Sequence, residues 1–230
     1  MLALQRSAGA AALLQALAYV AGFAAILGFL NPGDVSNWSS LQRLEFVLDR
    51  KLSFQALNIF IYVFFGAALV VLTIALHERL KRDAPALSQV AGAFGLIWAG
   101  LVIASGMIVS TGLDAVADVY ARSPLEAASA LVAIGAIQNG IGGGIEVVGG
   151  LWLVLVSLAA LRATSQPKLL SHLGIFVGSA GILTVVPPLA GLGAVFGLGQ
   201  IVWFVWTGVV LLKLPAADSS INTTQPGGTG

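Results

Sequence analysis

The order of apolar and polar positions divides the chain into long apolar stretches separated by short polar segments. Several stretches run for about 18 residues or more without a charge, which is the helix length that crosses a hydrocarbon core of about 30 Å. Helices are expected because lipid offers the backbone no hydrogen-bond partner. The pattern therefore predicts an all-α bundle of six transmembrane helices in one domain, residues 1–213. The predicted spans are about 9–30, 54–76 and 87–109, a fourth that ends at 161, one within 169–186, and about 194–212.

A short amphipathic helix is predicted between the first two spans. Ser39 stands three residues before Gln42, the spacing of a capping box. The leucines that follow share one helical face: Leu41, Leu44 and Leu48. Two placements fit this pattern: a helix in the outer membrane interface with Trp38 as its headgroup-level anchor, or a helix packed across the mouth of the bundle.

Two acidic residues form a candidate outer acidic stripe at the end of the third apolar stretch. Asp114, Asp118 and Arg122 are spaced four residues apart and so fall on one side of a helix. One interpretation is a surface ion pair between Asp118 and Arg122, which contributes little to stability. The other is an outer vestibule that attracts cations.

A helix break is expected within the fourth span. Ser123, Pro124 and Glu126 have the pattern of a helix start, with serine as cap and proline at the first helical position. From Pro124 to Leu161 an unbroken helix would be about 57 Å long, nearly twice the core thickness. Glycine has the weakest helix propensity apart from proline, so the break is predicted at the glycines at 140, 142, 143 and 144.

Composition agrees with a membrane protein and excludes several other classes. Hydrophobic residues make up 58% of the chain and charged residues 9%, with a mean hydropathy of +0.96. The chain has no cysteine, which removes disulfides and thiolate chemistry. A net charge of +1 gives no case for nucleic-acid binding.

The distribution of basic residues predicts that both termini are cytoplasmic, since basic loops stay inside. With the N-terminus inside, seven basic residues are inner: Arg6, Arg79, Lys81, Arg82, Arg162, Lys168 and Lys213. Four are outer: Arg43, Arg50, Lys51 and Arg122. Residues 214–230 are rich in Pro, Gly, Ser and Thr, and this composition predicts a disordered cytoplasmic tail.

Glu146 is the main candidate for chemistry inside the membrane. A charge at the bilayer centre costs about 2.5 to 3.5 kcal/mol, and no Lys, Arg or His lies in the interior of another predicted span. On a continuous helix Asn139 would share its face, and Gln138 and Gln200 are further candidate partners. Glu146 is then either a buried group that holds a neighbouring helix across a glycine surface, or a carboxyl that relays a proton or binds a cation.

The sequence shows no motif for a cofactor, a metal or catalysis. No haem, flavin or nucleotide fingerprint is visible, and no nucleophile stands out with a base. His77 and His172 lie beside the inner ends of spans and lack further metal ligands. We expect no cofactor, no metal site and no enzymatic activity.

Three segments resemble a family of bacterial polytopic membrane proteins, domain of unknown function 4386. They are the basic, proline-led loop from Arg162 to Gly174, the E-x-x-G-G-L-W motif from Glu146 to Trp152, and the apolar run from Ile201 to Leu212. The resemblance implies six spans in a bacterial inner membrane and no established activity.

Two classes of function follow from these observations. The first is a non-catalytic structural, partner-binding or regulatory component of the membrane, which contacts another membrane protein or a second copy through glycine-lined helix faces. The alternative is a small transporter or proton-coupled carrier that uses Glu146.

Overall fold

The computed structural model describes residues 2–213, and this part of the chain is all-helical. Eight α-helices follow one another, and we number them in chain order. They are α1 Leu2–Leu27, α2 Ser40–Asp49, α3 Lys51–Leu80, α4 Pro85–Tyr120, α5 Pro124–Gln138, α6 Val147–Ala163, α7 Lys168–Leu183 and α8 Leu192–Lys213. The predicted tail, residues 214–230, lies outside the described residues.

Five helical segments of the described chain are long and apolar enough to cross a membrane. They are α1, α3, α4, the segment Pro124–Ala163 that contains α5 and α6, and α8. These segments confirm a multi-pass membrane protein. The predicted fifth span forms α7, whose 16 residues extend only about 24 Å. It ends shortly before Pro187 and Pro188, which supply no backbone N–H to continue a helix.

The long helices pack as a closed series of neighbours. Helix α1 lies between α3 and α8, α4 lies between α3 and α6, and α7 lies between α6 and α8. Two contacts bring backbones together at glycines. A Cβ at Gly150 of α6 would lie 2.5 Å from the Gly178 carbonyl oxygen of α7, and a Cβ at Gly208 of α8 would lie 3.0 Å from the Gly9 carbonyl oxygen of α1. Glycine therefore sets the interhelix distance at both crossings.

An aromatic cluster fills the centre of the bundle. Its rings come from five helices: Tyr19, Phe65, Trp98, Trp152, Phe196, Trp203 and Phe204. The ring centroids of Trp98 and Trp152 are 5.4 Å apart, and those of Trp152 and Trp203 are 5.6 Å apart. Edge-to-face and tilted contacts of this kind fix ring orientations, so the cluster gives the bundle a rigid centre.

The predicted short helix exists as α2 and packs against other helices. The capping box is confirmed, because Ser39 Oγ accepts from the Gln42 N–H and Gln42 Oε1 accepts from the Ser39 N–H. Leu44 is fully buried in a small cluster with Val116, Ala127 and Ala128 from α4 and α5. These contacts correspond to the packed placement considered from the sequence.

One end of the bundle carries most of the basic side chains of the described residues, and we call it the basic end. It contains the turn after α3, with Lys81 and Arg82, and the turn between α6 and α7. Arg79 ties these two turns together, since its Nη2 donates to the Ser165 carbonyl oxygen at 2.9 Å.

Candidate functional site

Glu146 lies at a break between two helices. After α5 ends at Gln138, residues Asn139–Gly143 form a π-helical turn, and α6 begins at Val147. Gly142 within this turn has φ 124°, a conformation that only glycine adopts without strain. The predicted break at the glycines is therefore confirmed, and Glu146 is the residue immediately before α6.

Helix α7 fixes the backbone of Glu146. The Glu146 N–H donates to Thr184 Oγ1 at 2.9 Å, and Thr184 Oγ1 in turn donates to the Gly181 carbonyl oxygen at 2.7 Å. Thr184 is only 2% exposed. The Glu146 side chain does not cap α6, so its carboxyl group is not used by the start of its own helix.

The Glu146 side chain lines a cavity of about 220 Å³. Helix α1, the middle of α3 and the middle of α4 supply the other walls. The lining residues are Ala18, Tyr19, Gly22, Phe23 and Ile26 from α1, Ile61, Tyr62 and Phe65 from α3, Trp98 and Val102 from α4, and Gly142. Ile61 and Tyr62 belong to a second π-helical turn, Ile59–Phe64, and such turns occur often at functional sites.

No described residue neutralises or hydrogen-bonds the Glu146 carboxyl group. The side chain is half-buried, and the two ion pairs of the described residues lie elsewhere, at Lys51 with Asp114 and at Lys81 with Glu78. Among the other lining residues, two carry a side-chain oxygen, the hydroxyl groups of Tyr19 and Tyr62. The site thus combines one unpaired acid, two hydroxyls and an aromatic wall.

The predicted partnership of Asn139 with Glu146 is wrong. Both residues share a face only if one helix runs through them, and the helix ends between them. The Asn139 carbonyl oxygen instead accepts from the Ile145 N–H at 3.2 Å, and its side-chain Oδ1 lies 2.9 Å from where a Cβ on Gly144 would stand. Asn139 therefore closes the turn and does not line the cavity.

The two predicted glutamines also lie apart from the cavity lining. Gln138 Nε2 donates to Asn58 Oδ1 of α3 at 3.3 Å, so it acts as an interhelical hydrogen-bond partner. Gln200 of α8 is fully buried, and neither its Oε1 nor its Nε2 has a partner among the described residues. Of the four residues predicted for this site, only Glu146 lines the cavity.

The outer acidic stripe is also rearranged. Asp114 Oδ1 accepts from Lys51 Nζ at 2.8 Å and from Gln55 Nε2 at 3.0 Å. Asp118 and Arg122 form no ion pair within the described chain, because α4 ends at Tyr120 and Arg122 leaves its helical face. Lys51 neutralises the charge of Asp114. Of the two acids that were predicted to attract cations, Asp114 and Asp118, one is therefore already paired.

Sequence reasoning missed the two tyrosines and Thr184. The chain has three tyrosines, and two of them, Tyr19 and Tyr62, lie in apolar helices and line the cavity. A tyrosine within an apolar span was therefore a usable signal, because its hydroxyl needs a polar neighbour or water. Thr184 carried no such signal, since its role depends on which helix packs beside Glu146.

Comparison with known proteins identifies no relative of this chain. No protein-family model, curated protein or solved structure gives a significant match to the chain. The resemblance to domain of unknown function 4386 therefore stays a prediction.

Proposed function

We propose that the protein is a small membrane carrier in which Glu146 alternately holds a proton and another cation. The observation that carries this proposal is that the Glu146 side chain lines a cavity of about 220 Å³ without a hydrogen bond or an ion pair to any described residue. A glutamate that only held two helices together would be bonded to its neighbour.

The chemistry of an unpaired acid supports exchange between two occupants. A carboxylate that faces an apolar cavity without a partner is costly, so its charge has to be neutralised by a proton or matched by a cation in the cavity. Binding of the cation then releases the proton, and the reverse step returns it. A carrier built in this way exchanges the two ions across the membrane.

The broken helix supports a site that faces both sides in turn. Carrier sites are typically formed where spanning helices are discontinuous. Here the break after α5 and the π-helical turn of α3 flank the same cavity. These two irregular turns are the proposed hinges, since each contributes a backbone segment that is not α-helical to the cavity lining.

The proposed arrangement in the membrane has six crossings. Helix α7 is the sixth, and because its length of about 24 Å is less than the core thickness, the bilayer is proposed to be locally thinner around it. Both termini are then cytoplasmic in a bacterial inner membrane, with the basic end inside and α2 packed at the outer mouth of the bundle. Glu146 is separated from the basic end by α6, about 25 Å long, so in this proposed arrangement the cavity lies in the outer leaflet.

A second candidate is the non-catalytic, partner-binding role, with another membrane protein or a second copy as partner. It is favoured by two glycines, Gly135 of α5 and Gly140 of the π-helical turn that follows it, where an added Cβ would meet nothing within 4 Å. Other glycines lie at helix contacts inside the bundle, as Gly150 does with Gly178. Small residues that no other part of the chain covers allow a further helix to approach closely.

Ion exchange in vesicles tests the carrier. The protein is placed in liposomes made without choline lipids, with an acidic lumen and a trapped pH-sensitive dye. Sodium, potassium, tetramethylammonium and choline chlorides are then added outside in turn. At least one cation is expected to make the lumen more alkaline, and Glu146→Gln is expected to reduce the rate to that of empty vesicles.

The matched control is Glu126→Gln, because Glu126 is an exposed acid in the first turn of α5. This variant should exchange ions at the wild-type rate. A Glu146→Gln protein that matches the wild type would refute the proposal, and so would a wild-type rate equal to that of empty vesicles with every cation.

A further inference from the structure

The Glu146 cavity has several aromatic residues in its walls. Five of the twelve lining residues carry rings: Tyr19, Phe23, Tyr62, Phe65 and Trp98. Glu146 is the one acid among them, and no basic side chain lines the cavity. We propose that the cation bound here is a small organic ammonium ion. This inference rests on the proposed carrier function, because it names the ion that Glu146 exchanges for a proton.

The oxygen count of the wall argues against a hard metal ion. Calcium takes six to eight oxygen ligands and magnesium requires near-octahedral oxygen coordination. The side chains on the cavity wall offer one carboxyl group and two tyrosine hydroxyls. Most of the remaining surface is hydrocarbon, which does not replace the hydration shell of such an ion.

An organic ammonium ion matches both parts of the wall. Its charge is balanced by the Glu146 carboxylate, and its methyl or methylene groups lie against aromatic faces, where the ring quadrupole attracts a cation. A carboxyl group surrounded by rings therefore recognises positive charge and apolar surface together. Neither the carboxyl nor the rings alone would separate an ammonium ion from sodium or from a neutral hydrocarbon.

The rings are held in place before any ligand binds. Tyr19 and Phe65 meet edge to face, with centroids 5.5 Å apart and planes at 87°. Phe65 and Trp98 meet in the same way, at 5.6 Å and 73°. Trp98 is 2% exposed and packs on Trp152 behind it. Such a preformed wall lowers the entropy lost on binding.

The volume limits the size of the ligand. An apolar protein cavity of about 150 Å³ binds benzene, which has six non-hydrogen atoms. By the same proportion, 220 Å³ accommodates about nine. Tetramethylammonium and choline are within this limit, whereas a long-chain or multi-ring cation exceeds it.

Binding of choline to the purified protein is the direct test. The protein is kept in a maltoside detergent, because phosphocholine detergents carry the same head group as the probe. Equilibrium dialysis with radiolabelled choline gives the Kd. Competition is measured with sodium and with the uncharged isostere of choline, in which a tert-butyl group replaces trimethylammonium. The isostere and sodium are each expected to compete at least about tenfold more weakly than unlabelled choline.

Variants separate the charge from the rings. Glu146→Gln is expected to weaken choline binding at least about tenfold. Tyr62→Leu removes one ring and should weaken it about threefold, whereas Tyr62→Phe keeps the ring and should bind more tightly than Tyr62→Leu. Glu126→Gln is the control for loss of an acid outside the cavity. Size-exclusion profiles and thermal unfolding show that each variant is folded.

The outcomes distinguish this inference from the proposed function. Sodium or potassium exchange that depends on Glu146, without choline binding, would overturn the organic cation and leave the carrier standing. Choline binding that depends on Glu146, without exchange of any ion, would overturn the carrier and leave the binding site. Equal binding of choline and its isostere, or choline binding unchanged by Glu146→Gln, would overturn the inference.

Discussion

The backbone N–H of Glu146 and the Thr184 hydroxyl are joined by a hydrogen bond of 2.9 Å. This bond connects the start of α6 to the end of α7 through two residues that are 38 positions apart in sequence. It holds Glu146 at the helix break while leaving the carboxyl group free to line the cavity. The position of the acid is therefore set by a residue that does not itself line that cavity.

Loss of the Thr184 hydroxyl is expected to destabilise the protein. Thr184→Val keeps the shape of the side chain but leaves the partly buried Glu146 N–H without a partner, at a cost of about 1 kcal/mol. Thr184→Ser keeps the hydroxyl and is the matched control. Thermal unfolding in detergent should show a clear decrease for Thr184→Val and a smaller one for Thr184→Ser. Equal midpoints for the two variants would contradict the role of this hydrogen bond.

The crossing of α6 and α7 should not tolerate a side chain at Gly150. A methyl group there would lie 2.5 Å from the Gly178 carbonyl oxygen and 2.7 Å from the Ile182 nitrogen, so the helices would have to separate. Gly150→Ala is expected to lower the unfolding midpoint strongly. Gly100→Ala in α4 is the control, because nothing lies within 4 Å of an added Cβ at that position.

The control variant has an expected direction of its own. Alanine has a higher helix propensity than glycine, by about 1 kcal/mol at an unhindered helical position. Gly100→Ala should therefore leave the unfolding midpoint unchanged or raise it. If both alanine variants destabilised the protein equally, close approach at Gly150 would not be the reason.

The two glutamines predicted from sequence should respond in opposite ways to leucine. Gln200 is fully buried without a partner, so Gln200→Leu removes a desolvated amide and should stabilise the fold by about 1 kcal/mol. Gln138 donates to Asn58, so Gln138→Leu breaks an interhelical bond and should destabilise it. Unfolding in detergent under identical conditions compares the two, and a destabilised Gln200→Leu would contradict the absence of a partner.

The Lys51–Asp114 ion pair should have little influence on stability or exchange. Its side chains are 30% and 61% exposed, and exposed ion pairs contribute little. Asp114→Asn is expected to unfold close to the wild type and to exchange ions at the wild-type rate in the vesicle assay. A large loss of exchange would indicate that the outer acidic stripe acts as a vestibule after all.

Much of the fold could be predicted from the local pattern of the sequence. Apolar stretches of about 20 residues predicted membrane helices, and five segments confirm this class. The capping box at Ser39 and the glycine break near Gly142 were also readable, because each depends only on residues close together in sequence. The predicted end of the third span, at about 109, was less accurate. The last turns of α4 continue beyond the apolar stretch, and Val116 in these turns packs against α2 and α5.

The candidate site was readable only at its most conspicuous residue. Glu146 stood out because an acid in an apolar span is costly. Its predicted pairing with Asn139 was wrong because two residues seven positions apart share a face only on an unbroken helix. The glycines that predicted the break lie between the two residues and interrupt that helix. The predicted partnership of Gln200 with Glu146 was wrong because the presence of a polar residue in a span does not show toward which neighbour its side chain is directed.

The sequence by itself determined that this is a helical membrane protein with a break beside a lone acid, since helix length, capping and backbone freedom are local properties. Only the tertiary structure decided that Tyr19, Tyr62 and Trp98 surround that acid and that Thr184 holds it in place. Lipid and helix surfaces are about equally apolar, so hydrophobic pattern does not specify which helices become neighbours. That order is decided by close packing at glycines such as Gly150 and Gly178 and by the fit of the aromatic rings.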